Sequence, residues 1–262
     1  MPKPTIESRT TGAAQNQRRI IVVLPAYNES ACIGHLLDEI AFSMEEARLA
    51  YLVIVVDDGS TDETATIVTW HAASLPIRIE RHESNQGLGA TIRDGLVLAA
   101  QLAGPRDIVI TMDADDTHTP GLILRMAREI AEGHDVVIAS RYQPGSRTLG
   151  VPVHRRLLSY AGSWIFRILF PGMGIKDFTC GYRAYRGAVL QDAMKQYGDA
   201  FFDQDGFQCM VDILLKLRHM NLIFGEVPFI LRYDVKEGES KMAVGNTIVK
   251  TLRLALQRRF GA

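Results

Sequence analysis

The sequence predicts an α/β fold in which helices flank a mainly parallel central sheet. From residue 19 to about residue 140, short runs rich in valine and isoleucine alternate with longer segments of helical periodicity. Strands that are apolar along their whole length are typical of parallel sheets covered on both faces. The carboxyl ends of such strands meet at one edge of the sheet, where α/β proteins bind their ligands. We therefore expect the functional site at that edge.

The elements can be placed in order along the chain. The predicted strands are Ile20–Leu24, Leu52–Val56, Ile77–Arg81, Asp107–Met112 and Val136–Ala139, and the helices between them are 29–48, 61–73, 87–103 and 119–132. A loop rich in Pro, Gly, Ser and Arg at 143–152 then breaks the alternation. Beyond it we expect helices at 153–170, 206–219 and 243–260 and a strand near 222–231.

The composition limits the classes of function that the protein can have. The 262 residues suffice for one large domain, which we place at 19–242, between a disordered tail at 1–18 and a C-terminal amphipathic helix at 243–262. A formal net charge of −1 argues against nucleic-acid binding, which usually needs a basic surface. The three cysteines form no CxxC pair, which argues against a disulfide framework or a thiolate zinc site.

Acidic side chains follow the predicted strand 107–112. Asp113 and Asp115 stand two residues apart, so both carboxylates can converge on one divalent cation. Mg²⁺ and Mn²⁺ prefer oxygen ligands and leave positions for water and phosphate oxygens. Acids crowded at the end of a buried strand repel one another, and a bound cation removes that repulsion. The pattern predicts a Mg²⁺ or Mn²⁺ site at Asp113 and Asp115.

Polar residues also follow the other predicted strands. Asp57 follows strand 52–56 and can accept a hydrogen bond from the N–H edge of a nucleobase, whereas Asp58 or Ser60 is better suited to cap the next helix. The basic residues that could bind phosphate oxygens are Arg141, Arg183, Arg232 and Lys241. No GxGxxG follows the first strand and no GxxxxGK[ST] occurs, which argues against dinucleotide binding and a P-loop.

Eight motifs occur in an order that characterises a known family. They are PAYNE (25–29), VVDDGSTDET (55–64), NQGLGATIRDGL (85–96), DADDTHTP (113–120), SRY (140–142), DFTCGYRAY (177–185), GFQCMVDILLKL (206–217) and GEVPF…GESKM (225–242). The series resembles the dolichyl-phosphate and polyprenyl-phosphate mannosyltransferases among the family 2 glycosyltransferases, which have the GT-A fold. The resemblance covers about residues 19–250.

The resemblance implies an inverting transfer of a hexose from a nucleotide-diphosphate sugar to a polyprenyl or dolichyl phosphate, with Mg²⁺ or Mn²⁺ as cofactor. GDP-mannose is the first choice of donor, and UDP-glucose or another UDP-sugar is the second. A phosphate oxygen is already an anionic nucleophile at neutral pH, so this acceptor needs no strong general base. No nucleic acid takes part.

The resemblance also assigns site residues. It implies substrate contacts from Pro25, Tyr27, Glu29, Val55, Asp57, Asp113, Ala114, Asp115, Arg141 and Lys241, and catalytic roles for Asp113, Asp115, Arg141 and Asp212. Thr117 stands where some members supply a third metal ligand after Asp113 and Asp115. Asp212 occupies a position where relatives have glutamate, and Asp116 and Cys180 replace a leucine and a small hydroxyl residue of the family pattern.

Two other functions remain open. A saccharide or small-molecule hydroxyl could be the acceptor, in which case Asp212 or Asp205 would serve as the general base. A non-catalytic subunit that binds a nucleotide sugar is the other alternative, although the intact pair of Asp113 and Asp115 argues against it.

A lipid acceptor requires contact with a membrane. No segment reaches the ~20 apolar residues of a spanning helix, and the first 18 residues contain no apolar signal-peptide core. The predicted helices 153–170 and 243–260 combine apolar and basic residues, so each could pack on the domain or lie on an anionic membrane surface. We expect a cytoplasmic protein that is peripheral at the cytoplasmic face of a membrane, by direct contact or through a membrane partner subunit.

Overall fold

The computed structural model describes residues 18–234 and 244–260. The predicted tail, apart from Arg18, and the predicted substrate contact Lys241 lie outside these ranges. The described part of the predicted C-terminal helix is helical.

The strands lie in two sheets. Their bounds are β1 Ile20–Ala26, β2 Tyr51–Asp57, β3 Ile77–Arg81, β4 Ile108–Thr111, β5 Val136–Ser140, β6 Arg147–Leu149, β7 Arg183–Arg186, β8 Phe224–Pro228 and β9 Ile230–Arg232. Within the described residues, the larger sheet has seven strands in the order β3-β2-β1-β4-β7-β5-β8. β6 and β9 pair in a separate sheet.

Helices cover the sheet and follow most of its strands. Their bounds are α1 Ile33–Glu46, α2 Thr64–His71, α3 Leu88–Leu102, α4 Leu122–Ala131, α5 Val153–Leu169, α6 Gly187–Tyr197, α7 Gln208–Leu217 and α8 Val244–Phe260. Short 3₁₀ helices cover Pro171–Met173 and Gly198–Phe202. The predicted helices are confirmed, each ending within a few residues of the expected bounds, whereas α6 was not predicted.

β1 is the centre of a parallel group of strands. It pairs with β2, where Ala26 lies opposite Asp57, and with β4, where Val23 lies opposite Thr111. Apart from Pro25, no residue of β1 is more than 2% exposed. Such burial on both faces explains why the strand is an uninterrupted apolar run. The carboxyl ends of β1, β2 and β4 therefore lie side by side.

One strand of the larger sheet runs against the others. β7 lies between β4 and β5 and is antiparallel to both, whereas β5 pairs in parallel with β8. Its sequence, RAYR, lacks the apolar run that identified the other strands, because the buried Arg183 occupies a core position. The prediction of a mainly parallel sheet is confirmed, with β7 as its exception among the described strands.

The start of α3 lies in direct backbone contact with the segment that precedes α7. The Gly89 amide donates a hydrogen bond of 2.9 Å to the Asp205 carbonyl oxygen. A Cβ atom at Gly89 would lie 2.2 Å from the Gln204 carbonyl oxygen, so only glycine fits this approach. The contact holds the segment that leads to Phe207 against the carboxyl edge of the sheet.

We predict that Gly89→Ala destabilises the protein. The added methyl group would collide with backbone atoms of residues 204 and 205, and overpacking of this kind costs about 1–3 kcal/mol. Urea unfolding followed by circular dichroism measures the change. Gly121→Ala is the matched control, because no atom lies within 4 Å of the new methyl group. A Gly89→Ala protein as stable as this control would contradict the close approach.

Candidate active site

The loop after β4 carries the acidic pair that the sequence singled out. The Asp113 amide donates a hydrogen bond of 3.0 Å to Nδ1 of His118, whose ring is stacked on Tyr182 and meets Phe229 edge-on. Because Nδ1 accepts this bond, the hydrogen of the neutral imidazole lies on Nε2, which is 3.5 Å from Asp113 Oδ2. His118 thus orients Asp113, a role that no spacing in the sequence indicated.

Asp115 is oriented by Thr117. Its Oδ1 atom accepts hydrogen bonds from the Thr117 amide at 3.2 Å and from the Thr117 hydroxyl at 2.6 Å. The hydroxyl predicted as a third metal ligand is therefore a partner of the Asp115 carboxylate. Asp116 lies apart from this arrangement, since its carboxylate is 3.0 Å from His35 Nδ1 and does not line the cavity described next.

A cavity of about 180 Å³ contains the acidic pair. The lining residues that bear on chemistry are Pro25, Asp113, Asp115, Thr117, His118, Arg141, Thr179, Cys180 and Gly181. We call this space the acidic cavity. Its position beyond the ends of β1 and β4 is the one expected for a ligand site in an open α/β sheet.

The chemistry of the acidic cavity fits a hard divalent cation. The part of the chain that the structure describes contains no cluster of three or more His, Cys, Asp or Glu side chains able to enclose a metal ion. Asp113 and Asp115 can supply oxygen ligands while water and phosphate oxygens complete the coordination, as Mg²⁺ and Mn²⁺ prefer. These residues therefore fit the expected cation.

The thiol of Cys180 does not add a nucleophile to this cavity. Burial raises the pKa of Cys180 to about 12, so the thiol stays protonated at neutral pH. The cysteine contributes a small apolar wall instead.

Asp57 is completely buried at the end of β2. Its Oδ1 atom accepts a hydrogen bond of 3.0 Å from the Ser60 amide. Its Oδ2 atom lies 3.1 Å from Arg81 Nε, within ion-pair distance, but without the geometry of a hydrogen bond. A buried carboxylate oxygen that accepts no hydrogen bond is suited to an N–H donor of a ligand.

The loop after β1 is tied to the loop after β2. The Asn28 amide donates to the Ser60 hydroxyl at 2.9 Å, and the Glu29 amide donates to the Thr64 hydroxyl at 2.8 Å. Tyr27 and Glu29 therefore stand beside Asp57 at the same edge. Val55 and Ala114 are buried, so the structure does not expose their side chains to a ligand.

Asp58 organises the loop before α3. Its carboxylate accepts hydrogen bonds from the amides of Gln86 and Gly87 at 2.8 and 2.9 Å, and it lies 2.6 Å from His82 Nδ1. The expectation that Asp58 caps the next helix is wrong in detail, because the amides that it binds precede α3 and not α2.

Arg141 follows β5 and is held by Asp177. Its Nε and Nη2 atoms donate to the two oxygens of Asp177 at 2.8 and 2.7 Å, and Nη2 also reaches the Thr179 hydroxyl at 2.5 Å. Burial acts to raise the pKa of Asp177, but the adjacent guanidinium outweighs it and lowers that pKa below its ordinary value. Asp177 was quoted in a motif, but nothing in the sequence identified it as the partner of Arg141.

Two arginines predicted as phosphate ligands have other partners. Arg183 is fully buried and donates to the carbonyl oxygens of Phe178, Cys180 and Met210. Arg232 forms an ion pair of 3.0 Å with Asp234. Neither residue lines the acidic cavity or the larger cavity beside it, so these contacts do not support a role for either as a phosphate ligand.

The structure does not bring Asp212 to the acidic cavity. Asp212 is buried on α7, where its carboxylate lies 2.5 Å from Lys216 Nζ and 2.6 Å from Arg258 Nε of α8. These contacts occupy the carboxylate to which the sequence assigned a catalytic role. The acid fastens the C-terminal helix to α7.

A larger, mainly apolar cavity adjoins the acidic one. It measures about 430 Å³ and lies between α5, α8 and the residues after β5 and β9. The residues that line both cavities are Arg141, Thr179, Phe207, Leu231 and Tyr233. We call this space the apolar cavity. Arg155 and Arg156 are among its lining residues.

Helix α5 leaves much of its apolar surface uncovered. Its buried residues are Ser163 and Phe166, whereas Val153, Leu157, Trp164 and Ile168 are exposed. This exposure argues against the alternative that α5 packs wholly in the core of the domain. Among the described helices, none has both the length and the apolarity needed to cross a membrane.

Comparison with proteins of known sequence places this site in a family. The model of the family described as Glycosyl transferase family 2 matches residues 21–193. A dolichol-phosphate mannosyltransferase of Pyrococcus furiosus is 30% identical over 90% of this chain, which spans 62% of that protein's length. An undecaprenyl-phosphate mannosyltransferase of Micrococcus luteus is 33% identical over 92% of this chain and 96% of that protein.

Comparison with solved structures identifies the fold. Glucosyl-3-phosphoglycerate synthase from Mycobacterium tuberculosis, solved with Mn²⁺, UDP-glucose and phosphoglyceric acid, superposes with a TM-score of 0.67 at 20% identity. The match covers 94% of this chain and 81% of that one. The acidic cavity at the sheet edge, the family match over residues 21–193 and this superposition lead to one conclusion. The chain belongs to glycosyl transferase family 2, has the GT-A fold and is a glycosyltransferase.

Proposed function

We propose that this glycosyltransferase moves a hexose, with inversion, from a nucleotide-diphosphate sugar to a polyprenyl phosphate at a membrane surface. GDP-mannose is the proposed first donor, and UDP-glucose or another UDP-sugar is the second. The observation that carries the proposal is the apolar cavity, which adjoins the acidic cavity and has arginines among its lining residues.

The donor is proposed to bind at the acidic cavity. Asp57 would accept a hydrogen bond from the base, and Pro25, Tyr27 and Glu29 stand at the same edge. Asp113 and Asp115 would hold the Mg²⁺ or Mn²⁺ ion, which when bound stabilises the negative charge that develops on the leaving diphosphate. Arg141, held by Asp177, would add hydrogen bonds to phosphate oxygens. The M. tuberculosis synthase solved with Mn²⁺ and UDP-glucose supports a metal and a nucleotide sugar here.

The acceptor is proposed to enter through the apolar cavity. A prenyl chain would lie against apolar residues such as Leu158, Ile165 and Leu252, and its phosphate would meet the arginines that line the same cavity. Arg155 already donates to the Tyr233 hydroxyl at 3.3 Å, which places its guanidinium near the junction of the two cavities. An acceptor phosphate needs no general base, consistent with the placement of Asp212 elsewhere.

The exposed surface of α5 is proposed to contact the membrane. Its apolar side chains are accompanied by Arg155, Arg156 and Arg167, and the Arg167 guanidinium lies 5.3 Å from the Trp164 ring. Apolar and aromatic residues beside arginines suit the interface of an anionic leaflet. Because α5 also lines the apolar cavity, a lipid could pass from the membrane into that cavity. We propose the cytoplasmic face of the membrane, because the enzyme would meet nucleotide sugars there.

Transfer to a hydroxyl acceptor is the second candidate. The M. tuberculosis synthase, solved with phosphoglyceric acid, favours it, and Asp205 is exposed close to α3 as a possible base. A small polar acceptor would leave the apolar cavity unused, however, which is why the lipid phosphate is preferred.

We predict that the purified protein with Mn²⁺ or Mg²⁺ transfers a hexose to undecaprenyl phosphate and not to undecaprenol. The two lipids differ only in the phosphate, so the pair tests whether the phosphate is the nucleophile. Mass spectrometry of the lipid product and release of the nucleotide are measured with GDP-mannose and UDP-glucose in parallel. Transfer to 3-phosphoglycerate or undecaprenol alone would favour the hydroxyl acceptor.

We predict that Asp115→Asn lowers turnover by about 100-fold or more, because removal of a group that stabilises transition-state charge costs that much. Asp116→Asn is the matched control, since Asp116 pairs with His35 outside the cavity and asparagine tolerates its positive φ of 58°. Steady-state rates over a Mn²⁺ titration make the comparison. Equal activity of the two variants would show that Asp115 does not hold the metal.

We predict that Gly162→Leu weakens the use of long-chain polyprenyl phosphates. Gly162 lines the apolar cavity and a Cβ atom there would meet nothing within 4 Å, so there is open space at this position for a larger side chain to enter. KM should rise with a long prenyl chain and change little with a short prenyl phosphate. Gly121→Leu, also free of contacts within 4 Å, is the control. Equal KM values for the long chain in both variants would place the lipid elsewhere.

A further inference from the structure

Asp177 stands at the centre of the polar contacts around Arg141. Its carboxylate is fully buried and both oxygens are occupied. Oδ2 accepts from the backbone amide and Nε of Arg141 at 3.0 and 2.8 Å, and Oδ1 accepts from Nη2 at 2.7 Å. Three contacts to one residue fix both its backbone and its guanidinium, so Arg141 cannot rotate without breaking an ion pair away from solvent.

The same carboxylate shapes the wall of the acidic cavity. Oδ1 also accepts from the amides of Thr179 and Cys180 at 3.3 and 3.1 Å. This turn leads to Gly181, where a Cβ atom would lie 3.6 Å from Asp113 Oδ1. A single side chain therefore sets the position of the arginine and of the wall that faces the metal-binding acid.

Asp177 is itself held from behind by Glu226 of β8. Glu226 Oε1 accepts from the amides of Lys176 and Asp177, both at 2.8 Å, and Oε2 accepts from the side-chain amide of Gln143 at 2.9 Å. Because Glu226 lies opposite Ile138 in the parallel pair of β5 and β8, the support comes from the sheet. Rigid elements hold site residues more accurately than loops do.

The arginine keeps one donor group for a ligand. Asp177 and Thr179 take Nε and Nη2, and among the described residues no hydrogen bond reaches Nη1 of Arg141. Arg141 lines both the acidic and the apolar cavity. Its remaining hydrogen-bonding group thus stands where the leaving diphosphate and the acceptor phosphate of the proposed reaction would come together.

We propose that Asp177 is a positioning residue, which aligns Arg141 for phosphate groups and offsets its charge. The inference rests on the proposed function for the identity of those phosphates. The paired guanidinium acts through the direction of its hydrogen bonds, since Asp177 cancels its net charge. An Arg141 without this partner would bind anions at least as well but would orient them poorly, so binding and turnover should separate.

The test compares Asp177→Asn and Asp177→Glu in the full chain. We expect Asp177→Asn to lower kcat by about 100-fold, the effect of a displacement of about 1 Å, while calorimetry with Mn²⁺ gives an unchanged or tighter Kd for GDP and UDP. Asp177→Glu keeps the charge but moves the carboxylate by one methylene, so kcat should fall without tighter binding. Parallel losses of kcat and nucleotide affinity, or a kcat near wild type, would overturn the proposal.

A matched ion pair elsewhere in the sheet provides the control. Asp135 Oδ1 pairs with Arg186 Nη2 at 2.5 Å, and neither residue lines the acidic or the apolar cavity, so Asp135→Asn should leave kcat and Kd unchanged. If Asp177→Asn does not fold, Thr179→Val decides, because it removes the hydroxyl that accepts from Nη2 of Arg141 and donates to Asp177 Oδ1 at 3.4 Å, while the ion pair itself stays in place. An unchanged kcat in both Thr179→Val and Asp177→Glu would refute the inference. If the wild type uses a hydroxyl acceptor, the proposed acceptor fails, and the same comparison of kcat with Kd is made on that acceptor.

Discussion

The parallel pairing of β1 with β2 and β4 determines where the polar side chains of this protein can meet. These strands are largely buried on both faces, so apolar residues fill their interiors and the carboxylates of the site stand at or beyond their carboxyl ends. Asp57 and Asp113 occupy those positions on the two strands that flank β1. A shift of the register of β4 by one residue would turn the strand's side chains to the opposite faces and draw the acidic loop toward the core.

Local signals in the sequence were sufficient for the parts of the site that depend on one strand and the loop after it. Asp113, Asp115 and Arg141 each stand shortly after an apolar run. All three line the acidic cavity, and Arg141 also lines the apolar cavity. The fold class followed from the same runs. β7 was not predicted because its arginines interrupt the apolar pattern by which a buried strand is recognised. α6 was not predicted because it begins directly after β7, without a loop to mark its start.

Contacts between distant segments explain the rest. Arg141 and Asp177 are 36 positions apart, and Asp212 and Arg258 are 46 apart, so neither pair leaves a trace in sequence spacing. Residue type and position in a family motif made Asp212 a candidate base and Arg183 a candidate phosphate ligand. The structure gives Asp212 two cations and Arg183 three carbonyl oxygens, because a buried charge is stable only when such partners satisfy it. The need of each buried charge for such partners explains where Asp212 and Arg183 lie in the structure.

The charge of the Arg141 pair bears on how a transferase of this kind could release its product. In the proposed reaction an anionic acceptor must approach an anionic donor, and an unpaired cation between them would lower the repulsion between the two. A bare, partly buried guanidinium would continue to attract the nucleoside diphosphate after transfer and slow its release. Pairing with Asp177 removes most of that long-range attraction while the directional hydrogen-bond donor is retained. The buried carboxylate thus reconciles alignment of two phosphates with departure of one of them.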